Sequence, residues 1–240
     1  MKPIYEPKGK AKEYGDYAIN IYTGCPHRCY YCFAPNVLRR DKEAFHGHVE
    51  PRPGIVEAVK KQIEKDGITG KLIHLCFTCD PYPTGYDSSA TREIIKILKE
   101  TGNHVQILTK GDGIRDLDLL DENDWYGITI STGDNELARV DEPDAVDPSA
   151  RLMGLCLAKA CGIKTWVSFE PVIDTESVLK IIEQYYTAFD KVKIGKLNYH
   201  PSLIDWAFFG KEVEKMCQEK GIDYYIKESL RKEMDRSNEE

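Results

Sequence analysis

The sequence predicts an α/β fold built on a parallel sheet. Seven short runs rich in β-branched and aromatic residues recur along the chain, and most stretches between them carry apolar residues at three- and four-residue intervals. Strands alternating with helices imply βαβ units and hence a parallel sheet. Size agrees: with 240 residues, 41% of them hydrophobic, the chain can bury one large core, and α/β barrels of this length often form one domain. Periodicity is equally satisfied by a partial barrel and by an open doubly wound sheet. In both, the reactive face lies at the carboxyl ends of the strands.

After a polar entry over residues 1–16, residues 17–23 (YAINIYT) read as the first buried strand, stopped by Gly24. A helix over 55–65 follows Pro53 and Gly54, with Val56, Val59 and Ile63 on one face. Residues 71–77 (KLIHLCF) form the second strand. The next helix, 88–101, carries Ile94, Ile95 and Leu98 and ends at Gly102, where a left-handed cap is expected. Strands at 104–109, 126–131, 163–170, 191–196 and 222–227 complete the sheet, with helices at 113–121, 148–161, 175–187 and 205–220. The expected organisation is a polar extension (1–16), one domain (17–230) and a charged, disordered tail (231–240).

Composition removes several classes. Gly and Pro, 18 and 12 residues, are near average usage, so collagen-like and low-complexity chains drop out. No apolar run approaches the ~20 residues needed to span a bilayer. The opening MKPIYEPKGKAKEYGDY is too polar for a signal peptide, so a cytoplasmic protein is expected. A net charge of −7 gives no global footprint for nucleic acid, and the basic clusters at 8–12 and 39–42 are short. Without a secretory signal, eight cysteines read as metal ligands or reactive thiols rather than a disulfide framework.

Directly after the first strand, GCPHRCYYCFA sets Cys25, Cys29 and Cys32 in a Cys-x3-Cys-x2-Cys arrangement. Three thiolates on one loop can converge on a common centre and leave it one ligand short. A structural zinc would close tetrahedrally with His27, Cys76 or Cys79 as fourth ligand, which makes a zinc-stabilised binding module the alternative reading. Zinc cysteines, however, usually come as a Cys-x2-Cys pair matched by a second pair. A cubane cluster held by three cysteines instead leaves one iron open. Placement at the carboxyl end of a strand, where such folds keep their chemistry, favours the cluster.

Cys25-x3-Cys29-x-aromatic-Cys32, with Tyr31 before the last cysteine, resembles the signature of the radical SAM (S-adenosylmethionine) enzymes. The wider string IYTGCPHRCYYCFAP, TCDPYPTG after strand two and LTKG after strand three are similar to the spore photoproduct lyase-like branch. This resemblance implies a partial (β/α)6 TIM-like barrel, here with a short extra C-terminal helix and strand. It implies a [4Fe-4S] cluster on Cys25, Cys29 and Cys32, with S-adenosylmethionine on the open iron. Reductive cleavage would then yield a 5′-deoxyadenosyl radical that abstracts hydrogen from a substrate the residues leave unknown. An external electron donor such as a flavodoxin or ferredoxin is the implied partner.

Further candidates fall on the same rim. Lys110 ends strand three, where its cation can pair with the S-adenosylmethionine carboxylate or stay solvated. Ser131 and Thr132 end strand four with hydroxyls of suitable reach. In the lyase branch a serine and a lysine at these strand ends contact the cofactor, and the spacing from Asp80 through Lys110 to Ser131 fits. Glu142 and Arg151, in EPDAVDPSARL, form either a cofactor contact or a buried pair that orders the loop. Glu170 ends strand five and can reach ribose hydroxyls or pair elsewhere. Tyr31 and Phe33 flank the last cysteine, and one of them is expected on the adenine or in the core. His46 and His48 are expected at the surface or on the substrate side.

Cys76 and Cys79 lie at the end of strand two. The lyase's hydrogen-donating cysteine falls in this region, but its position, counted back from Asp80, is Phe77 here. Its radical-transfer tyrosine is matched by Phe33. These departures, with the acidic charge, argue against DNA photoproduct repair, while either thiol could still quench a radical. Cys156, Cys161 and Cys217 read as small buried hydrophobes on helices.

Overall fold

In the computed structural model, which describes residues 2–236, seven strands form one sheet in the order β1-β2-β3-β4-β5-β6-β7. They are β1 (Tyr17–Ile19), β2 (Leu72–Leu75), β3 (His104–Ile107), β4 (Trp125–Thr129), β5 (Lys164–Val172), β6 (Lys191–Lys196) and β7 (Asp223–Ile226). Each pairs in parallel with the next in sequence. An order that never turns back excludes the doubly wound alternative, which reverses at a switch point.

The sheet is curled. His74 on β2 and Trp166 on β5 have ring centroids 6.3 Å apart, whereas strands three places apart in a flat sheet would stand ~14 Å from each other. Trp166 also donates from Nε1 to the Ile107 carbonyl at 2.9 Å, and Gly127 on β4 leaves the space its ring fills. Strands β1 and β7 remain the two ends of the sheet, so the barrel is partial.

Helices cover the outside. They are α1 (Ala34–Leu38), α2 (Lys42–Gly47), α3 (Ile55–Asp66), α4 (Ser89–Glu100), α5 (Asn135–Asp141), α6 (Pro148–Ala160), α7 (Thr175–Tyr185), α8 (Trp206–Lys220) and α9 (Glu228–Arg236). On α3 the buried row is Ile55, Val59 and Ile63, spaced four apart, which leaves Val56 half-buried. Gly102, at φ +73°, caps α4 as expected. The helix expected at 113–121 is a 3-10 turn over Ile114–Leu119, with Arg92 binding the Asp116 carboxylate at 2.8 Å. Strand β1 stops at Ile19, because the chain leaves the ladder there to enter the cysteine loop.

Two terminal expectations change. Residues 231–236 continue α9 rather than forming a tail, because Leu230 and Met234 are buried and Met234 packs against Gly210 on α8. The last four tail residues, 237–240, lie outside the described range. At the other end, the polar extension is built into the barrel: Ile4 exchanges two hydrogen bonds with Gln62 (2.8 and 2.9 Å), and Tyr5 pairs antiparallel with Ala18. Tyr14 enters the lumen, its ring 5.6 Å from His74 and 5.9 Å from Trp166. Of the three helix cysteines only Cys217 is fully buried; Cys156 is half-buried, and Cys161 caps α6 facing solvent.

Candidate active site

The three-cysteine loop runs from the end of β1 across the carboxyl rim to α1. Its shape begins with Gly24: a Cβ there would run into the backbone carbonyl oxygens of Phe45 and His48. His46, which is buried rather than at the surface, uses Nδ1 to bond the Cys25 carbonyl at 2.8 Å. The Cys32 amide donates to the Cys29 carbonyl at 3.1 Å, which turns the loop back on itself. Gly24→Ala is therefore expected to cost about 1–3 kcal/mol through overpacking against fixed backbone, read as a lowered unfolding midpoint.

All three thiols are free. Burial pushes Cys29 up to about 12, and burial likewise raises Cys25 and Cys32. Metal uptake must therefore displace their protons. Four ligands on one zinc at about 2.3 Å would lie ~3.8 Å apart. Among the described residues, the group whose ligand atoms all fall within 4.8 Å of one another is His104, Asp121 and Asp124, not the cysteine loop. Lys99 already neutralises that group, donating to Asp121 at 2.6 Å and to Asp124.

Beside the loop, Tyr31, Lys110, Ser131, Glu142 and Arg151 converge. Glu142 is 2% exposed. Its Oε1 accepts from the Tyr31 hydroxyl and from Ser131 Oγ (2.8 Å), and its Oε2 from Arg151 Nη2 (2.5 Å). Arg151 also donates to the carbonyls of Val146 (2.6 Å) and Thr129 (2.8 Å). Burial opposes the Glu142 charge, but Lys110 and Arg151 outweigh it and hold its pKa below the usual value. The Glu142–Arg151 pair is thus buried and ties the loop to the end of β4.

Lys110 places its ammonium 5.4 Å over the Tyr31 ring, and no ion pair to that ammonium is found among the described residues. Burial works against its charge, yet the fields of Cys29 and Glu142 hold its pKa above the ordinary lysine value. It is a fixed cation beside the cysteine loop. Asp80 fixes its backbone: the Asp80 carboxylate accepts from Lys110 N (2.8 Å), Thr109 Oγ1 (2.5 Å) and Tyr82 N (2.8 Å), joining the β2 and β3 rims. His27 lies 3.6 Å from the same carboxylate and bonds Thr84 Oγ1 at 3.0 Å.

The remaining candidates have other surroundings. Thr132 is buried against the start of α7, with Ser177 Oγ 3.4 Å away. Phe33 is 52% exposed on the rim. Glu170 belongs to a lumen network: it accepts from the Tyr14 hydroxyl and pairs with Lys227 at 3.2 Å. Lys193, buried in the same network, donates to the Glu13 carbonyl at 2.7 Å, and burial pushes its pKa down to about 8. Sequence reading missed this network. Its one signal was the alternation of Lys193 between Val192 and Ile194 in a buried strand.

A partial parallel βα barrel that carries three free cysteines on the loop after its first strand defines the class of fold. The chain belongs to the radical SAM superfamily, whose family model matches residues 19–184, more than half of it. It is 33% identical to the uncharacterised protein ORF301 of Acidianus two-tailed virus over 194 residues, 75% of this chain and 64% of that protein. It is 29% identical to Rv2578c of Mycobacterium tuberculosis over 168 residues, 65% of this chain and 49% of that protein. This chain thus spans about half to two thirds of these relatives. A point variant of spore photoproduct lyase shares the fold, with TM-score 0.71 and 12% identity over 92% of this chain and 79% of that one. Streptococcus suis SuiB bound to S-adenosylmethionine matches with TM-score 0.63 and 13% identity, over 87% and 46%. At these identities the likeness is one of fold.

Proposed function

We propose that the protein is an enzyme that holds a [4Fe-4S] cluster through Cys25, Cys29 and Cys32 and reductively cleaves S-adenosylmethionine to start hydrogen abstraction from a substrate. The observation that carries this reading is the juxtaposition of three free thiols on one rim loop with the half-buried ammonium of Lys110, for which no ion pair is found among the described residues. When bound, cluster and S-adenosylmethionine supply the one-electron sulfonium cleavage. The chain's own residues bind and orient. The cysteine thiolates hold the metal, and Lys110 attracts the carboxylate of the cofactor's methionine moiety. Ser131 offers a hydroxyl already oriented by Glu142, and the rings of Tyr31 and Phe33 offer apolar faces to the adenine. Asp80, Thr132 and Arg151 fix the rim on which these groups stand, and Glu170, in the lumen below, is held by Tyr14 and Lys227. Cys76 and Cys79, at the end of β2, are the thiols placed to return hydrogen to a substrate radical. A flavodoxin or ferredoxin serves as electron donor, and the cytoplasm is the fitting compartment for an exposed, reducible cluster.

The test is anaerobic reconstitution, reduction with dithionite and assay for 5′-deoxyadenosine. About four irons per chain and cofactor cleavage are expected. A colourless protein with one zinc per chain would establish the binding-module alternative instead. Lys110→Ala should keep its iron but bind S-adenosylmethionine roughly 10–100-fold more weakly, the worth of one charge-assisted contact. Equilibrium dialysis of the reconstituted protein measures it.

A further inference from the structure

The turn that follows β2 carries a feature that cofactor binding does not use. Cys76, Phe77, Thr78 and Cys79 form a Cys-x2-Cys sequence in which both thiols are free. Cys76 adopts φ +72°, a left-handed conformation uncommon for a residue with a side chain. Asn20 maintains it: its Oδ1 accepts from the amides of Phe77 (2.8 Å) and Thr78 (2.9 Å), so the chain winds about one oxygen. The Cys76 amide is tied to the Ile19 carbonyl at 2.9 Å. The far end of the turn is tied to β1's continuation as well, since the Tyr22 amide donates to Cys79 Sγ at 3.4 Å. One rigid turn, fastened twice to the same neighbouring segment, therefore places the two thiols together.

The pair is chemically unequal. Cys76 is 6% exposed, whereas Cys79 is only half-buried. Burial opposes the Cys79 thiolate, but the thiol of Cys76 and the amide of Tyr22 donate to it and leave its pKa below the ordinary value. Burial and the neighbouring Cys79 raise Cys76. The less buried cysteine is thus the better nucleophile, and the more buried one keeps its proton, as in an attacking and a resolving thiol.

We propose that Cys76 and Cys79 form a dithiol–disulfide couple that exchanges with a low-molecular-mass disulfide of the glutathione type. Cys79 attacks one sulfur of the disulfide; the S–S bond breaks, and the first thiolate leaves and takes a proton from water. Cys76 then loses its proton to solvent and attacks Cys79 Sγ in the mixed disulfide, expelling the second thiolate. The disulfide is reduced by two electrons to two thiols, and the protein pair is oxidised to a disulfide. This role does not depend on the cluster or on S-adenosylmethionine.

The full chain, equilibrated anaerobically in buffers of varied reduced-to-oxidised glutathione ratio, is acid-quenched, alkylated and peptide-mapped. The expected product is a peptide in which Cys76 and Cys79 are linked, two hydrogens lighter than the dithiol. It should appear at one midpoint and revert with dithiothreitol. Cys76→Ser should stop at a glutathione adduct on Cys79, and Cys79→Ser should form no adduct at the same poise. Cys76→Ala replaces Cys76→Ser if the serine variant loses its circular-dichroism signature of the fold. Alkylation of both thiols at every poise overturns the proposal. So does linkage of either to Cys25, Cys29 or Cys32, or adduct formation on Cys76 before Cys79. Because the readout is peptide mass, these outcomes leave the cofactor reading untouched.

Discussion

Cys29→Ala is expected to reduce iron from about four per chain to less than one and to bring 5′-deoxyadenosine formation down to background. Cys29 is the middle cysteine of the loop and its most buried one, at 7% exposure. Its backbone carbonyl, not its side chain, receives the Cys32 amide at 3.1 Å, so alanine preserves the loop's turn while removing the sulfur. A three-ligand centre reduced to two cannot hold a cubane against loss to chelators. Cys217→Ala on α8, a buried thiol remote in sequence from the loop, is the control and should retain both iron and cleavage. Retention of iron and cleavage by the Cys29 variant would remove the ligand assignment on which the proposed function stands.

Arg151→Met should lower stability by about 3–5 kcal/mol, because removing one partner of a buried ion pair strands the other charge. The Arg151 and Glu142 side chains are 1% and 0% exposed, so water cannot solvate what remains. Methionine keeps most of the volume but none of the three contacts to Glu142, Val146 and Thr129. The unfolding midpoint should fall by about 10 °C. Adding Glu142→Gln to Arg151→Met, which leaves no stranded carboxylate and keeps an acceptor for Tyr31 and Ser131, should cost less than Arg151→Met alone. An equal loss in both variants would mean that the stranded charge is not the source of the effect.

Strand order and most outer helices were legible because burial leaves a period in the sequence. The runs at 104–109 and 191–196 became β3 and β6 almost as read, and Gly102 marked the end of α4. The short helices α2 and α5 were not legible. Each is fixed by a single aspartate cap, Asp41 to the Ala44 amide at 2.8 Å and Asp134 to the Glu136 amide at 2.8 Å, with no apolar stripe to announce it. The cysteine loop was legible from spacing alone. What each rim carboxylate binds was legible only in part: the pairing of Arg151 with Glu142 was, but Tyr31 on Glu142 and Thr109 and Lys110 on Asp80 come from segments far away in the chain. Glu170 shows the same limit: a strand-end position suggested a ligand contact, and the residue faces Tyr14 and Lys227.

The Tyr14 contact redraws the boundary of the folding unit. The family model begins at residue 19, yet in the lumen beneath it Lys227 faces the carboxylates of Glu170 and of Glu13, and Lys193 donates to the backbone carbonyl of Glu13, which arrives from upstream. Lys227 sits 4.1 Å and Lys193 4.4 Å from the Tyr14 ring centre, so the same segment supplies a π face to both cations. A fragment cut at the sheet would keep every strand and Glu170 but lose the Glu13 carboxylate and the Tyr14 ring from its centre. For expression, fusion or circular permutation, the first indispensable residue of this barrel lies before its first strand.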